Sequence, residues 1–160
     1  MGTGRFVEEE VVLIRVEASD ILVAHSAVAE TDAHDLRFES GERLRVRARI
    51  QITLERMAFK EGDDDDRAIL EAYTHGKVEF LDEGGVVLFD ARWKGHAEET
   101  RVTLYGDRVE HFEAQMRYSG AGAGPCQGRK VSGVIRCVMT GKDLSGMEVF
   151  KITGEGEVSA

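Results

Sequence analysis

The stretch that decides the fold is Arg43-Leu44-Arg45-Val46-Arg47-Ala48-Arg49-Ile50-Gln51-Ile52-Thr53-Leu54, where polar and apolar residues alternate without a break. Successive side chains of a β-strand point to opposite faces of the sheet, so this alternation predicts a strand, which we extend over Arg43 to Glu55. One face would carry only apolar side chains, and the other would carry the arginines. In an α-helix the two sets would be scattered around the axis. The segment therefore predicts a long, half-buried strand of a mainly antiparallel sheet.

The same alternation marks further strands along the chain, separated by short segments that contain glycine or other turn-forming residues. The predicted strands are Val7 to Glu17, Ile21 to Ala29, Lys77 to Leu81, Val86 to Trp93, Arg101 to Tyr105, Arg108 to Tyr118, Val131 to Thr140 and Met147 to Thr153. The predicted connections are Ala18-Ser19-Asp20, Asp82-Glu83-Gly84-Gly85, Gly106-Asp107 and the segment 141–146.

The region from Asp63 to Gly76 fits two structures. Acidic residues before an apolar segment and a glycine after it are favourable for one short helix near 64–74. Alternate residues from Leu70 to Phe80 also form one face of a strand, and we prefer a strand that begins near Leu70.

Eight or nine strands with short connections predict an all-β protein. A chain of 160 residues is long enough to form one domain, residues 1–160, around one core without disulfides or metal ions. A sheet with so many strands must protect its edges, and closure into a barrel does so completely. We therefore expect a closed antiparallel barrel of about eight strands, which is wide enough to hold one small ligand.

Composition excludes several function classes. The net charge of -9 disfavours nucleic acid and anionic membranes as partners, because both attract a positive surface. Glu8, Glu9 and Glu10 interrupt the N-terminal apolar segment and argue against a signal peptide, and the apolar runs are too short for a membrane-spanning helix. Two cysteines, Cys126 and Cys137, fit a reducing cytoplasm, although a bridge between them stays open. Homo-oligomer formation is compatible with these features.

Aromatic and methionine side chains share inward-facing positions on the later predicted strands, where they could line an apolar pocket for a small hydrophobic molecule. The simpler alternative is that they only fill the barrel. Trp93 and Tyr118 are the leading pocket candidates, because each has a polar hydrogen that needs a partner when buried. The predicted substrate-binding set is Phe89, Trp93, Phe112, Met116, Tyr118 and Met139.

No motif in the sequence indicates a metal, a cofactor or a catalytic residue. The five histidines lack the close spacing of a metal-binding pair, and His111 falls on a solvated strand face. The acidic run Asp63 to Asp66 lacks the ligand spacing of an EF-hand. The glycine-rich segment Gly120 to Pro125 lacks the lysine and the helix of a phosphate-binding loop, and we interpret it as a flexible turn. We predict no metal and no cofactor, and the catalytic residues stay unknown.

Four arginines, Arg43, Arg45, Arg47 and Arg49, form a stripe on the polar face of the central strand. The stripe could bind an anion, or it could pair with acidic residues across neighbouring strands. Pairing with glutamates such as those of the N-terminal strand is favoured, because binding of polyanions needs a favourable overall field.

The arrangement of Phe112, Tyr118, Gly120, Gly122, Gly124, Gly128 and Gly133 resembles the late strand, glycine-rich turn and following strand of the allene oxide cyclase barrel group. The resemblance covers about a quarter of the chain. The group includes dirigent proteins and, in the same architecture, bacterial spirotetronate cyclases. The resemblance implies a closed, calycin-like barrel whose interior folds a reactive, mostly apolar substrate without a cofactor. We therefore expect a cofactor-free cyclase or isomerase, with a noncatalytic carrier or a ligand-free structural or oligomerisation barrel as alternatives.

Overall fold

The computed structural model describes residues 2–17, 26–61, 67–105, 108–142 and 148–160. These ranges contain nine β-strands and one short 3-10 turn at Gly124–Cys126. The strands are β1 (Gly4–Glu17), β2 (Ser26–Thr31), β3 (His34–Phe38), β4 (Arg43–Glu61), β5 (Arg67–Leu81), β6 (Val87–Tyr105), β7 (Arg108–Gly122), β8 (Lys130–Lys142) and β9 (Glu148–Ser159). Among the residues described, no helix is long enough and apolar enough to cross a membrane.

The sheet closes on itself through β1. Phe6 on this strand pairs with Phe38 of β3 along one edge and with Gly156 of β9 along the other. The second half of β1 pairs with β2, and both β2 and β3 pair with β4. Since β2 and β3 together occupy one position, the strands form a closed antiparallel barrel of eight positions. The predicted all-β barrel is confirmed.

The strand β4 has the predicted two faces. Val46, Ala48 and Ile50 point inward and are at most 1% exposed, while the four arginines of the stripe are exposed. The strand runs to Glu61, beyond the predicted end at Glu55. The alternation of the sequence therefore identified the inner face of β4 correctly, but the predicted strand was too short.

The ambiguous region is a strand where the structure describes it. The strand β5 begins at Arg67, before the predicted start at Leu70, and Leu70 pairs with Phe59 of β4 and Val102 of β6. The alternative of a short helix near 64–74 is wrong for residues 67–74, because neighbours on both sides hold this backbone extended. Residues 62–66, including the acidic run, lie outside the described ranges.

Two further strand predictions need correction. The predicted strands Val86 to Trp93 and Arg101 to Tyr105 are parts of one strand, β6. The polar residues between them break the alternation in the sequence, but they do not end the pairing with β5. The predicted strand Ile21 to Ala29 corresponds to β2, which begins at Ser26 in the described residues, and β3 was not predicted.

The hairpin turn at Asp82 is confirmed. The Asp82 carboxylate accepts hydrogen bonds from the backbone N–H groups of Gly84 and Val86, each at 2.9 Å. Gly85 has a φ of 84°, a conformation that glycine adopts without the steric cost of a side chain. The connections predicted at 18–20 and 106–107 lie outside the described residues, as do residues 143–146 of the predicted connection 141–146.

The prediction that the whole glycine-rich segment is a turn is wrong in part. Gly120 and Gly122 belong to β7, and the turn is made by residues 123–129 around the 3-10 turn. A Cβ atom on Gly120 would lie 2.1 Å from the carbonyl oxygen of Asp90, so glycine permits a close approach of two backbones here.

The described turns distinguish the two ends of the barrel. The turns at 39–42, 82–86 and 123–129 lie at one end, which we name the turn end. Cys126 lies fully buried beneath it. The strands β1, β4, β6 and β8 end at the opposite end, which we name the far end. From the turn end upward, the interior is filled by one apolar cluster that includes Phe6, Phe80 and Phe89.

Candidate functional site

The six predicted pocket residues lie in the apolar cluster inside the barrel. Five of them are at most 8% exposed, and Met139 is partly buried and packs against the same cluster. The rings of Phe80 and Tyr118 are 5.9 Å apart, and those of Phe112 and Phe150 are 5.6 Å apart. The inward orientation is as expected, and a role in binding substrate stays a prediction.

The described interior around these residues is packed. Two depressions on the surface run along β7, β8 and β9, and outward-facing side chains such as Arg5, Arg117 and Glu155 line the larger one. Of the six predicted pocket residues, only Tyr118 lines the larger depression, and none lines the smaller one. Phe112, Met139 and Phe150 of the apolar cluster lie towards the far end.

A group of polar side chains lies inside this apolar barrel. Among the described residues, Glu8, Thr31 and His34 are the buried polar or charged side chains, with exposed fractions of 1%, 1% and 8%. The hydroxyl of Tyr118, which is 2% exposed, is also inside. We name these four residues the polar cluster. A charged group in such a place needs a partner or a function.

Glu8 and His34 form the centre of the polar cluster. The Nε2 atom of His34 contacts Oε2 of Glu8, which links β3 to β1. The Nδ1 atom of His34 lies 2.9 Å from the carbonyl oxygen of Asp32. Because a carbonyl only accepts hydrogen bonds, Nδ1 carries a hydrogen, and Nε2 shares a second proton with the carboxylate.

The pKa of His34 is raised above its usual value. Burial by itself lowers the pKa, since it disfavours the charged imidazolium. The hydrogen bond and the negative charge of Glu8 raise the pKa, as does the carbonyl of Asp32, and together they outweigh burial and the repulsion from Arg45. The pair therefore favours an imidazolium beside a carboxylate.

The interruption between β2 and β3 places His34 inside the barrel. Glu30 pairs with Arg49, whereas His34 pairs with Val46, so the segment between them contains one extra residue relative to β4. The side chain of Thr31 restores the interrupted hydrogen bonding to β4, because its hydroxyl accepts a hydrogen bond from the Ala48 backbone N–H at 2.9 Å. The residues that point inward change from odd-numbered to even-numbered positions across this break, so Thr31 and His34 both face the interior.

Two atoms of the polar cluster have no hydrogen-bond partner among the described residues: Oε1 of Glu8 and the hydroxyl oxygen of Tyr118. Both approach glycines on the neighbouring strands. A Cβ atom on Gly154 would lie 2.7 Å from Oε1 of Glu8, and one on Gly133 would lie 2.5 Å from the Tyr118 hydroxyl oxygen. We name these two glycines the glycine floor, since they leave room for the two oxygens against the wall of the barrel.

The ionisation of Tyr118 and of the cysteines follows from burial. Burial raises the pKa of Tyr118, and the charge of Glu8 raises it further, so the hydroxyl stays protonated and can donate a hydrogen bond. Burial raises the pKa of Cys137 to about 12, which makes it an unreactive thiol. Cys126 and Cys137 are both free, so the bridge that the sequence left open does not form.

The stripe of arginines is on the outer face and pairs with acidic residues, as predicted. Its partners, however, are Asp35 of β3, 3.4 Å from Arg45, and Glu30 of β2, 3.2 Å from Arg49. The expected glutamates of β1 pair elsewhere: Glu9 contacts Arg37 and Glu10 contacts Lys151. The sequence could not show that β2 and β3, rather than β1, lie beside β4.

The remaining histidine and metal predictions concern the surface. His111 is on the outer face, as predicted, with its Nε2 atom 3.1 Å from a carboxylate oxygen of Glu113. His75 is exposed on β5. Within the described ranges, no group of three or more His, Cys, Asp or Glu side chains is arranged to hold a metal ion.

Sequence reasoning missed Glu8 and His34 as site residues. Glu8 is one of three consecutive glutamates, and only the pairing of Phe6 and Glu8 with β3 and β9 shows which of them points inward. The available signal was that Glu8 shares strand parity with Phe6. Comparison of the chain with known protein families, curated proteins and solved structures found no match.

Proposed function

We propose that this protein is a cofactor-independent isomerase or cyclase that holds a small hydrophobic molecule in its barrel and moves a proton through Glu8 and His34. The observation that carries the proposal is a buried, paired carboxylate whose second oxygen, Oε1, has no partner among the described residues. The net charge of -9 disfavours nucleic acid and anionic membranes as partners, and the two free cysteines fit action in a reducing cytoplasm.

The energetic cost of the polar cluster supports a functional role. An unsatisfied polar atom in a protein interior costs about 1–3 kcal/mol. Apolar residues of similar volume often replace a buried ion pair without loss of stability. Groups with shifted pKa values are concentrated at functional sites, because catalysis requires tuned pKa values, and His34 is such a group. Glu8 and His34 therefore merit testing as reacting groups.

The contacts of the pair suggest a role for each member. Both ring nitrogens of His34 are engaged, one by Glu8 and one by the Asp32 carbonyl. His34 would therefore orient Glu8, while Oε1 of Glu8 would exchange a proton with the substrate. Moving a proton from one position of a molecule to another gives an isomer of equal mass and needs no cofactor.

In this proposal the substrate lies along the inner face of β7 and reaches the polar cluster from there. From the far end it carries Phe112, Ala114, Met116 and Tyr118 in succession. Ala114 is small, and a methionine side chain adapts to irregular shapes. Apolar walls of this kind would hold a flexible substrate close to its reactive shape and exclude water. The resemblance to the allene oxide cyclase barrel group supports the same mode of action.

A ligand-free structural barrel is the second candidate. The dense packing from the turn end to Tyr118, with Phe80, Phe89 and Met116 fully buried, favours it. A noncatalytic carrier would use the same interior as the enzyme. These alternatives differ in whether a molecule binds and whether it is changed.

The test is a binding and conversion assay with hydrophobic polyene and polyketide-like compounds. Native mass spectrometry and Trp93 fluorescence would measure binding, and chromatography would detect an isomer of equal mass. We expect Glu8→Gln to keep binding and to lower the conversion rate by about 10²–10⁴-fold, the usual contribution of a general base. Glu9→Gln, a change at the adjacent exposed glutamate, is the matched control and should convert at the wild-type rate.

The outcomes separate the candidates. If every bound compound is released unchanged, the protein is a carrier and the proposal of an enzyme is wrong. The absence of binding to any compound would favour the ligand-free barrel. Full conversion by Glu8→Gln would exclude Glu8 as the proton-transferring residue.

A further inference from the structure

The two unpaired oxygens of the polar cluster lie in one part of the barrel. Glu8 is on β1 beside β9, and Tyr118 is on β7 beside β8. Their oxygens approach the glycine floor on two paired strands, since Gly154 of β9 pairs with Ile135, two residues along β8 from Gly133. The charge of Glu8 also acts on the Tyr118 hydroxyl. One small ligand group could therefore reach both oxygens.

The chemistry of the two oxygens restricts that group. Oε2 of Glu8 faces Nε2 of His34, so a proton shared by the pair lies there and Oε1 is left as an acceptor. The Tyr118 hydroxyl keeps its hydrogen and can donate it. A group that satisfies both must donate one hydrogen bond and accept another. A hydroxyl does this, whereas a carbonyl or an ether cannot donate and an ammonium cannot accept.

We propose that Oε1 of Glu8 and the hydroxyl of Tyr118, above the glycine floor, form a binding site for the hydroxyl group of a small apolar alcohol, phenol or enol. The inference rests on the proposed function and names its substrate class. The apolar part of the molecule would extend along β7 past Met116 and Ala114 towards the far end.

The reaction that follows is closure of an oxygen-containing ring. Glu8 takes the hydroxyl proton, so the O–H bond breaks as the oxygen forms a bond to an electrophilic alkene carbon of the same molecule. The π electron pair of that alkene moves to its other carbon, which takes the proton back from Glu8. The product is an isomer of the substrate, and no oxidant or other reactant is consumed.

The test compares two probes that differ at the hydroxyl, para-propylphenol and para-propylanisole, by isothermal titration calorimetry with the full chain. We expect the wild-type protein to bind the phenol at least about tenfold more tightly, because the anisole leaves the carboxylate oxygen unpaired. Tyr118→Phe should lower the affinity for both probes by a similar factor, because the oxygen of either probe can accept the Tyr118 hydrogen bond, and Glu8→Gln should remove the phenol preference, because an amide NH2 group would replace Oε1. Ser119→Ala, at the adjacent exposed serine, should keep the full preference.

A second variant tests the same site from the other strand. In Gly154→Ala the new methyl group would lie 2.7 Å from Oε1 of Glu8, closer than van der Waals contact, so the carboxylate would have to shift and the phenol preference should fall. Circular dichroism and thermal melting would establish that each variant is folded.

Each result decides a different point. Equal affinity of the wild-type protein for phenol and anisole, as when the two oxygens share only an internal water, would overturn the hydroxyl site but leave the proposed pocket intact. Unchanged affinity of Tyr118→Phe for both probes, or a phenol preference that survives in Glu8→Gln, would also overturn it. The absence of binding to either probe would overturn both the site and the pocket. A phenol preference without conversion of any substrate would keep the site and remove the proposed catalysis.

Discussion

His34 is held from both sides of its ring, and this is the feature at the scale of single residues with the clearest consequence. The Asp32 carbonyl engages one nitrogen and the Glu8 carboxylate the other, inside an apolar barrel. Glu8 favours the imidazolium enough to outweigh the effect of burial, so the pKa of His34 is raised in the folded protein. Protonation of His34 is therefore coupled to folding.

The stability of the protein should depend on pH through His34. An unfolded histidine has a pKa of about 6.5, and the folded value is higher, so protonated His34 favours the folded state. The stabilisation is fully present below about pH 6.5 and is lost as the pH rises through the raised folded pKa. His34→Gln should remove this pH dependence, measured as the urea midpoint across a pH series.

The control for this experiment is His111→Gln on the outer face. The exposed His111 contacts only one carboxylate at the surface among its described contacts, and the variant should keep the wild-type pH profile. A profile that His34→Gln leaves unchanged would contradict the coupling of His34 to folding.

At the scale of elements, the break between β2 and β3 determines what enters the barrel. One extra residue changes the inward register, and Thr31 replaces the lost backbone acceptor for the Ala48 N–H. The break then positions His34 opposite β1, where Glu8 meets it. A continuous strand across this position would have kept the earlier register and turned the His34 side chain outward.

Thr31→Val tests the hydrogen bond between the Thr31 hydroxyl and the Ala48 backbone N–H. Valine has nearly the same shape as threonine but leaves the buried Ala48 N–H without its acceptor, so the free energy of unfolding should fall by about 1–3 kcal/mol. Urea denaturation would measure the change. Thr153→Val, at an exposed threonine of β9, should change stability by less than about 0.5 kcal/mol. Equal effects of the two changes would mean that the Thr31 hydroxyl does not support the strand break.

At the scale of the whole molecule, closure through β1 ties the barrel into one unit. This strand pairs with β9 on one edge and with β2 and β3 on the other. Phe6 lies at the seam, 1% exposed, with its ring 5.5 Å from that of Phe38. Loss of packing at the seam should therefore be transmitted to strands on the opposite side of the barrel.

Unfolding in urea should be a single transition, in which Trp93 fluorescence and the far-UV circular dichroism signal change together. Phe6→Ala should lower the free energy of unfolding by about 3–5 kcal/mol and shift both signals equally, although Trp93 is on β6. Val7→Ala, at the adjacent residue that is 51% exposed, should have a small effect. Two separate transitions would contradict a single cooperative barrel.

The sequence by itself determined most of the strands and the inner face of the barrel. Alternation depends only on the period of a β-strand, so it correctly placed Val46, Ala48 and Ile50 inside and the arginine stripe outside. Turn chemistry likewise identified the hairpin at Asp82. The six aromatic and methionine residues predicted to face inward do so for the same reason, since apolar side chains on one strand face are buried together.

The tertiary structure alone decided which polar residues enter the barrel. Glu8 has two neighbouring glutamates, and His34 follows a break that no local pattern reveals. The partners of the arginine stripe, on β2 and β3, also depended on which strands lie side by side. Register and closure join residues that are far apart in the chain, and a local pattern contains no information about such contacts. For that reason the fold could be predicted from the sequence, whereas the polar cluster could not.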